Sequence, residues 1–360
     1  MAGRRHFLRL LASLPAWPLG MAMATDFAAV LPGRPLVFPR DHGAHPEFRT
    51  EWWYATGWLA LPDGKPLGFQ STFFRVRTGI GEDNPSAFAP RQLLVAHAAL
   101  ADPALGRLRH AERSARSGFG RAGFSETRTE IWIDDWRFAQ EGDVYRTAVR
   151  AADFSYALTL RPDGPPLLNG RAGFSQKAPD PRHASYYYSR PQLAVSGTVT
   201  LAGRPQPVSG KAWLDHEWSS ELLPEGAQGW DWLGINLADG GALMAFRMRG
   251  KDGAGEGLWA AATWRSADGA AQVLAPEAIG FTPRRRWRSP RTGIDYPVEW
   301  QLRIAGRLFQ LRPLFDDQEL DSRRSTGAIY WEGAVILHEA EREIGRGYLE
   351  MTGYGEAIRV

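Results

Sequence analysis

Trp213-Leu214-Asp215-His216-Glu217-Trp218 and, after a Pro- and Gly-containing stretch, Trp230-Asp231-Trp232 bring three carboxylates, one imidazole and four indoles within 20 residues. Such a set suits the protonation or binding of an apolar molecule, because desolvation raises a carboxyl pKa and ring faces stabilise positive charge. The plain alternative places the tryptophans in a core and the charges on the solvent face of a strand. If 213–218 is extended, Leu214, His216 and Trp218 share one face, and Trp213, Asp215 and Glu217 the other. An imidazole and an indole then look into the same space. Asp231 has the parity of Leu233, Ile235 and Leu237, so a strand running back through it turns its carboxyl toward an apolar face, which favours the protonated form.

The elements that must hold these residues are strands. The chain has 39 Gly and 25 Pro, 12% aromatic residues, and no long stretch of helical apolar spacing. Short alternating runs bounded by turn signals predict strands at 51–61, 68–77, 93–100, 130–138, 145–151, 154–161, 193–201, 259–265, 298–304, 307–313 and 328–337. Residues 233–249 read as a hairpin about Asp239-Gly240-Gly241, with Ala242, Met244, Phe246 and Met248 facing one way and Arg247 and Arg249 the other. The expectation is an all-β chain of antiparallel barrels or sandwiches. At 360 residues it exceeds what one core usually serves. A junction within 219–229 predicts domains at 36–220 and 224–360, with a site where they meet.

Arg4-Arg5, an apolar run and Ala22-Met23-Ala24 read as a twin-arginine signal peptide, residues 1–24, cleaved after Ala24 and directing the protein to the periplasm or beyond. Without its three arginines the 43 Lys and Arg fall to match the 40 Asp and Glu. A nucleic-acid partner is therefore not expected. Arg284-Arg285-Arg286-Trp287-Arg288 reads as a solvated loop. The absence of cysteine excludes disulfides, thiolate metal sites and a cysteine nucleophile.

Other chemistry is weaker. No Gly-x-Ser-x-Gly elbow is present. His42 and His45 beside Asp41 and Glu47 lack a third ligand at metal-site spacing, so neither a metal nor a cofactor is expected, and they read as polar plugs near the cleft. His97 reads as a core histidine. Glu51, sharing a face with Trp53, would lie in a barrel lumen and need Arg75 or Arg77 as partner. Tyr186-Tyr187-Tyr188 reads as a cleft mouth or an aromatic edge strand.

Asp41-His42-Gly43-Ala44-His45, Thr50-Glu51-Trp52-Trp53-Tyr54-Ala55-Thr56-Gly57, Lys211–Trp218, Gly229–Trp232, Tyr330-Trp331-Glu332-Gly333 and Gly347–Tyr354 together resemble the carotenoid 1,2-hydratase family and its AttH-like secreted relatives. The resemblance implies two tandem lipocalin-like antiparallel β-barrels of the calycin type with a cleft between them. It also implies divergent activities: hydration of an isoprenoid double bond, a secreted hydrolase or ABC-type export label, and pericyclic cyclisation in fungal relatives. The hydratase motif maps onto His216, Trp218 and Asp231 as catalytic residues, with Trp230, Trp232, Trp53, Tyr54, Glu51, His42 and His45 lining the substrate site. In that mapping Asp231 protonates an alkene, Trp218 or Trp230 holds the cation by roughly 0.5–2 kcal/mol per ring, and His216 activates water. Two functions stay open: a periplasmic enzyme protonating an isoprenoid or lipid, and a non-catalytic lipid carrier partnered by an ABC transporter permease.

Overall fold

A computed structural model describes residues 27–251 and 257–357. The twin-arginine segment and its cleavage point lie outside them. The described chain is built almost entirely of antiparallel strands, because alternating apolar residues between Gly- and Pro-rich turns bury one face of a pleat at a time. The first sheet runs, in spatial order, Arg107–Arg116, Gln92–Asp102, Pro66–Arg77, Thr50–Ala60, Arg204–Ser219, Ala184–Leu201, Phe154–Arg161, Val144–Arg150, Trp136–Glu141, Glu130–Ile133 and Ala122–Phe124. The second runs Ala271–Leu274, Trp259–Arg265, Ala242–Gly250, Ala227–Leu237, Arg342–Met351, Ala328–Glu339, Arg307–Pro313, Asp295–Ile304 and Ile279–Arg288. Each sheet curls around its own core, the first filled by Trp53, Phe69, Trp136 and Tyr145, the second by Ile235, Trp300, Leu311 and Trp331. Burying each such side chain stabilises the fold by about 1.5–3 kcal/mol.

A third cluster joins the sheets: Tyr54, Trp58, Tyr187 and Trp213 from the first meet Trp232, Phe246, Tyr330 and Tyr348 from the second. Polar groups cross the same boundary. Trp58 Nε1 donates to the Gly347 carbonyl at 2.9 Å, and Gln192 Nε2 donates to the carbonyls of Leu237 at 2.8 Å and Gly241 at 2.7 Å. Gly68 permits the close approach: a Cβ there would lie 2.4 Å from Tyr348 Oη and 3.0 Å from the Cβ atoms of Ala101 and Ala334. Gly68→Ala is expected to cost about 1–3 kcal/mol by overpacking, read as a lower urea midpoint at unchanged m value. An unchanged midpoint would mean that the sheets yield freely at this contact.

Three local expectations are corrected. The run 130–138 is two strands, because Asp134 takes φ 52° in a tight turn between them. The arginine-rich run at 284–288 is not a loop but part of Ile279–Arg288, an edge strand, where Pro283 need not donate to a ladder. Arg285 there pairs with Glu299 and Asp316, each at 2.7 Å. The three tyrosines 186–188 sit within a strand bonded on both sides rather than at an edge. Tyr187 turns to the inter-sheet cluster, and Tyr186 and Tyr188 pack with Phe48 and Trp218.

Candidate active site

The strand Arg204–Ser219 divides the tryptophan-rich motif between two environments. Leu214, His216 and Trp218 turn toward the first barrel and its end, whereas Trp213, Asp215 and Glu217 turn toward the second sheet. A cavity of about 1240 Å³ opens on that second face, bordered by Trp52, Tyr54, Asp215, Trp230, Trp232 and Glu350 among others.

On the barrel side, His216 lies fully buried between the rings of Trp53 (4.7 Å between centroids) and Trp218 (4.9 Å), with no exposure to solvent. Its Nε2 is 2.8 Å from Glu51 Oε1, and its Nδ1 is 3.1 Å from the Tyr188 hydroxyl, which is 2.9 Å from His42 Nδ1. Burial lowers the His216 pKa despite Glu51, and burial with the charge of Arg190 lowers that of His42 to about 4. The neutral rings then complete a one-way chain: His42 donates to Tyr188, Tyr188 to His216 and His216 to Glu51. Glu51 also meets Arg75 Nε at 2.8 Å and His45 Nδ1 at 2.8 Å. Burial pushes the Glu51 carboxyl up, but Arg75, His216 and His45 outweigh it and hold it well below the usual range. His45, stacked 3.7 Å over Trp218, also faces Asp41. Burial lowers its pKa, but the hydrogen bonds to Asp41 and Glu51 win and raise it.

Donor atoms of His45, Glu51 and His216 all lie within 4.8 Å of one another, a spacing a metal ion could use. Arg75 already pairs with Glu51 and Arg40 with Asp41, however, and a divalent ion would add positive charge to a set whose acids are already balanced. The geometry fits an ion-pair network rather than a metal centre.

Asp231 stands elsewhere. It shares a face with Leu233, Ile235 and Leu237 of the second core, as parity requires. The expectation of apolar surroundings is corrected: Arg247 Nε lies 2.7 Å and Arg249 Nε 3.3 Å from its Oδ2, and Tyr354 donates to Oδ1 at 2.9 Å. The two arginines that alternation turned away from Met244 and Phe246 point into the barrel to meet it. No hydrogen bond or ring contact joins Asp231 to His216 or Trp218. Of the other residues singled out, Tyr54, Trp230 and Trp232 border the cavity, as does Glu51, whose carboxylate is already engaged; Trp53 packs in the first core, and His42 and His45 bind Tyr188 and Glu51. His97 is bonded to Tyr330 at 2.5 Å and Ser325 at 2.9 Å, and burial lowers its pKa to about 3.

The cavity carries its own acids. Asp215 accepts from Ser189 Oγ at 2.5 Å, Trp213 Nε1 at 2.6 Å and the Tyr187 hydroxyl at 2.8 Å, yet burial prevails and pushes it up to about 7. Glu217 is paired with Lys177 at 2.7 Å, and that ammonium sits 4.3 Å from the Phe246 ring centroid. Glu332 and Glu350 face each other across the hairpin formed by Ala328–Glu339 and Arg342–Met351. Burial, then the neighbouring Glu350, push Glu332 well above the usual range, against a hydrogen bond from the Tyr54 hydroxyl. Burial pushes Glu350 up to about 7, against a 2.7 Å bond from Trp230 Nε1. Glu350 remains partly exposed to the cavity though enclosed by protein. Both glutamates fall within the blocks 330–333 and 347–354, where no role was assigned to them from sequence. A signal exists: Tyr330, Glu332 and Ala334 alternate on one buried face, and a lone acid on an apolar face calls for an explanation.

The AttH-like family model matches residues 29–354. A crystal structure of a Nitrosomonas europaea protein assigned as AttH superposes with a TM-score of 0.85 at 50% identity, covering 91% of this chain and 100% of that one. Kievitone hydratase from Nectria haematococca superposes with a TM-score of 0.68 at 16% identity, covering 92% and 96%. CghA in complex with Sch210972 gives 0.52 at 15% identity, covering 85% and 89%. The last two share the fold. No curated protein matches the chain.

Proposed function

This chain belongs to the AttH-like family, and from that premise we propose that its inter-sheet cleft binds a large apolar molecule of isoprenoid or lipid type and transfers a proton to it, in hydratase or isomerase chemistry. The observation that carries the reading is Glu350: a carboxyl open to an aromatic cavity, poised near neutrality at about 7 and backed by a second carboxyl. Protonating an alkene forms a C–H bond with the π electrons and leaves a carbocation, which the cavity rings stabilise by roughly 0.5–2 kcal/mol each. Water adds through oxygen and returns its proton to the carboxylate; loss of a proton from carbon instead gives a shifted double bond. Trp230 donates to the carboxylate form. His216, Trp218 and Asp231 act through position in this reading, holding the strands that carry the cleft. The twin-arginine segment supports work in the periplasm.

The test is incubation in D2O with geranylgeraniol and oleyl alcohol, and with any lipid extracted from the purified protein, reading deuterium uptake by mass spectrometry. Uptake is expected to fall as pH rises through about 7, since Glu350 must hold its proton to donate it. No uptake at any pH would sink proton transfer and favour a lipid carrier serving an export system.

A further inference from the structure

We infer that the Glu332–Glu350 end of the cleft is a binding site for an organic cation, an ammonium or comparable onium head carried on an apolar body. The inference deepens the reading above and rests on it for the apolar body alone.

Apart from Asp215, which three neutral donors hold, the other buried carboxylates among the described residues meet a cation. Glu51 meets Arg75 at 2.8 Å, Glu217 meets Lys177 at 2.7 Å, Asp231 meets Arg247 at 2.7 Å and Glu319 meets Arg291 at 3.3 Å. Glu332 and Glu350, opposite each other in the ladder, take no lysine, arginine or histidine from the described residues; their donors are the Tyr54 hydroxyl and the Trp230 N–H. Two carboxyl groups placed directly opposite repel when both ionise. Raised affinity for protons is the expected response of such a pair without a cation.

One further atom points the same way. Glu332 is 1% exposed and borders the cavity, and its Oε2 accepts no hydrogen bond from the described residues. An unmatched buried polar atom is destabilising, and an onium head seated against Oε2 would offset that cost. Trp230, Tyr54 and Tyr330 border the cavity at this end. Aromatic rings beside carboxylates form the surroundings that hold alkylammonium groups. A carboxylate head would instead oppose ionisation of the pair, and a hydroxyl would bring no positive charge to balance it.

The experiment is calorimetric titration of the full chain with three ligands of one chain length, dodecyltrimethylammonium, dodecanol and dodecanoate, each below its micellar concentration. At pH 6.5, in two buffers of different ionisation enthalpy, the ammonium is expected to bind about tenfold or more tighter than the alcohol and to release about one proton as the pair ionises. Glu332→Gln and Glu350→Gln should each abolish the proton release and most of the preference. The inference is overturned if dodecanol binds as tightly, if both variants keep the preference, or if none of the three ligands binds. Should a variant fail to fold, the wild-type order and proton count decide alone. Ammonium preference without deuterium uptake would keep this site and remove proton transfer; uptake without preference would do the reverse.

Discussion

Glu350→Gln is expected to lower deuterium uptake by about 10²–10⁴-fold, the usual contribution of a positioned general acid, while leaving the fold intact. The amide oxygen can still accept from Trp230 Nε1, which reaches the native carboxyl at 2.7 Å. The loss should therefore appear in turnover, with urea midpoint and far-ultraviolet dichroism unchanged. Uptake retained within threefold of wild type would assign the donor to another acid of the cavity. Asp215 is then the next to test, since burial also brings it to about 7, although three donors converge on it and favour its anion.

Arg75→Met is expected to destabilise the protein by about 3–5 kcal/mol, the cost of removing one partner of a buried ion pair. Arg75 is 0% exposed and donates to Glu51 Oε2, to Gln92 Oε1 and to the carbonyls of His45 and Phe48. The methionine fills similar volume, so the loss measures the stranded carboxylate and carbonyls rather than a cavity. Equilibrium urea unfolding at pH 7 checks it. A loss under about 1 kcal/mol would mean that Glu51 is held by its two histidines alone.

Much of the architecture was legible because strands announce themselves by period-two alternation. Runs such as 154–161, 259–265 and 307–313 coincide with observed strands. What escaped depended on backbone exceptions and on distant partners. Asp134 at positive φ broke one run, and Pro283 disguised an edge strand as a loop. The tyrosine run 186–188 was not joined to the strand at 193–201, because Arg190-Pro191-Gln192 breaks the register with its neighbour. Parity correctly separated the two faces of 213–218 but not which face meets the cleft, since that depends on where the second sheet packs. Likewise Asp231 was placed on the right face without its arginines, which alternation had located at 247 and 249, the end of the hairpin. The Glu51–Arg75 pairing was readable, because a buried acid in a lumen needs a cation nearby. Glu332 and Glu350 become a pair only through the register of their hairpin.

The two-faced strand Arg204–Ser219 has an evolutionary corollary. Alternate positions answer to different selective demands: Asp215 and Glu217 border the cleft and Trp213 packs between the sheets, while Leu214, His216 and Trp218 serve the first barrel and its end. If the cleft binds as proposed, ligand preference drifts through positions 215 and 217, each change drawing on the stability of a buried, bonded acid. Homologues that have diverged in ligand should then vary at 215 and 217 and keep 214, 216 and 218.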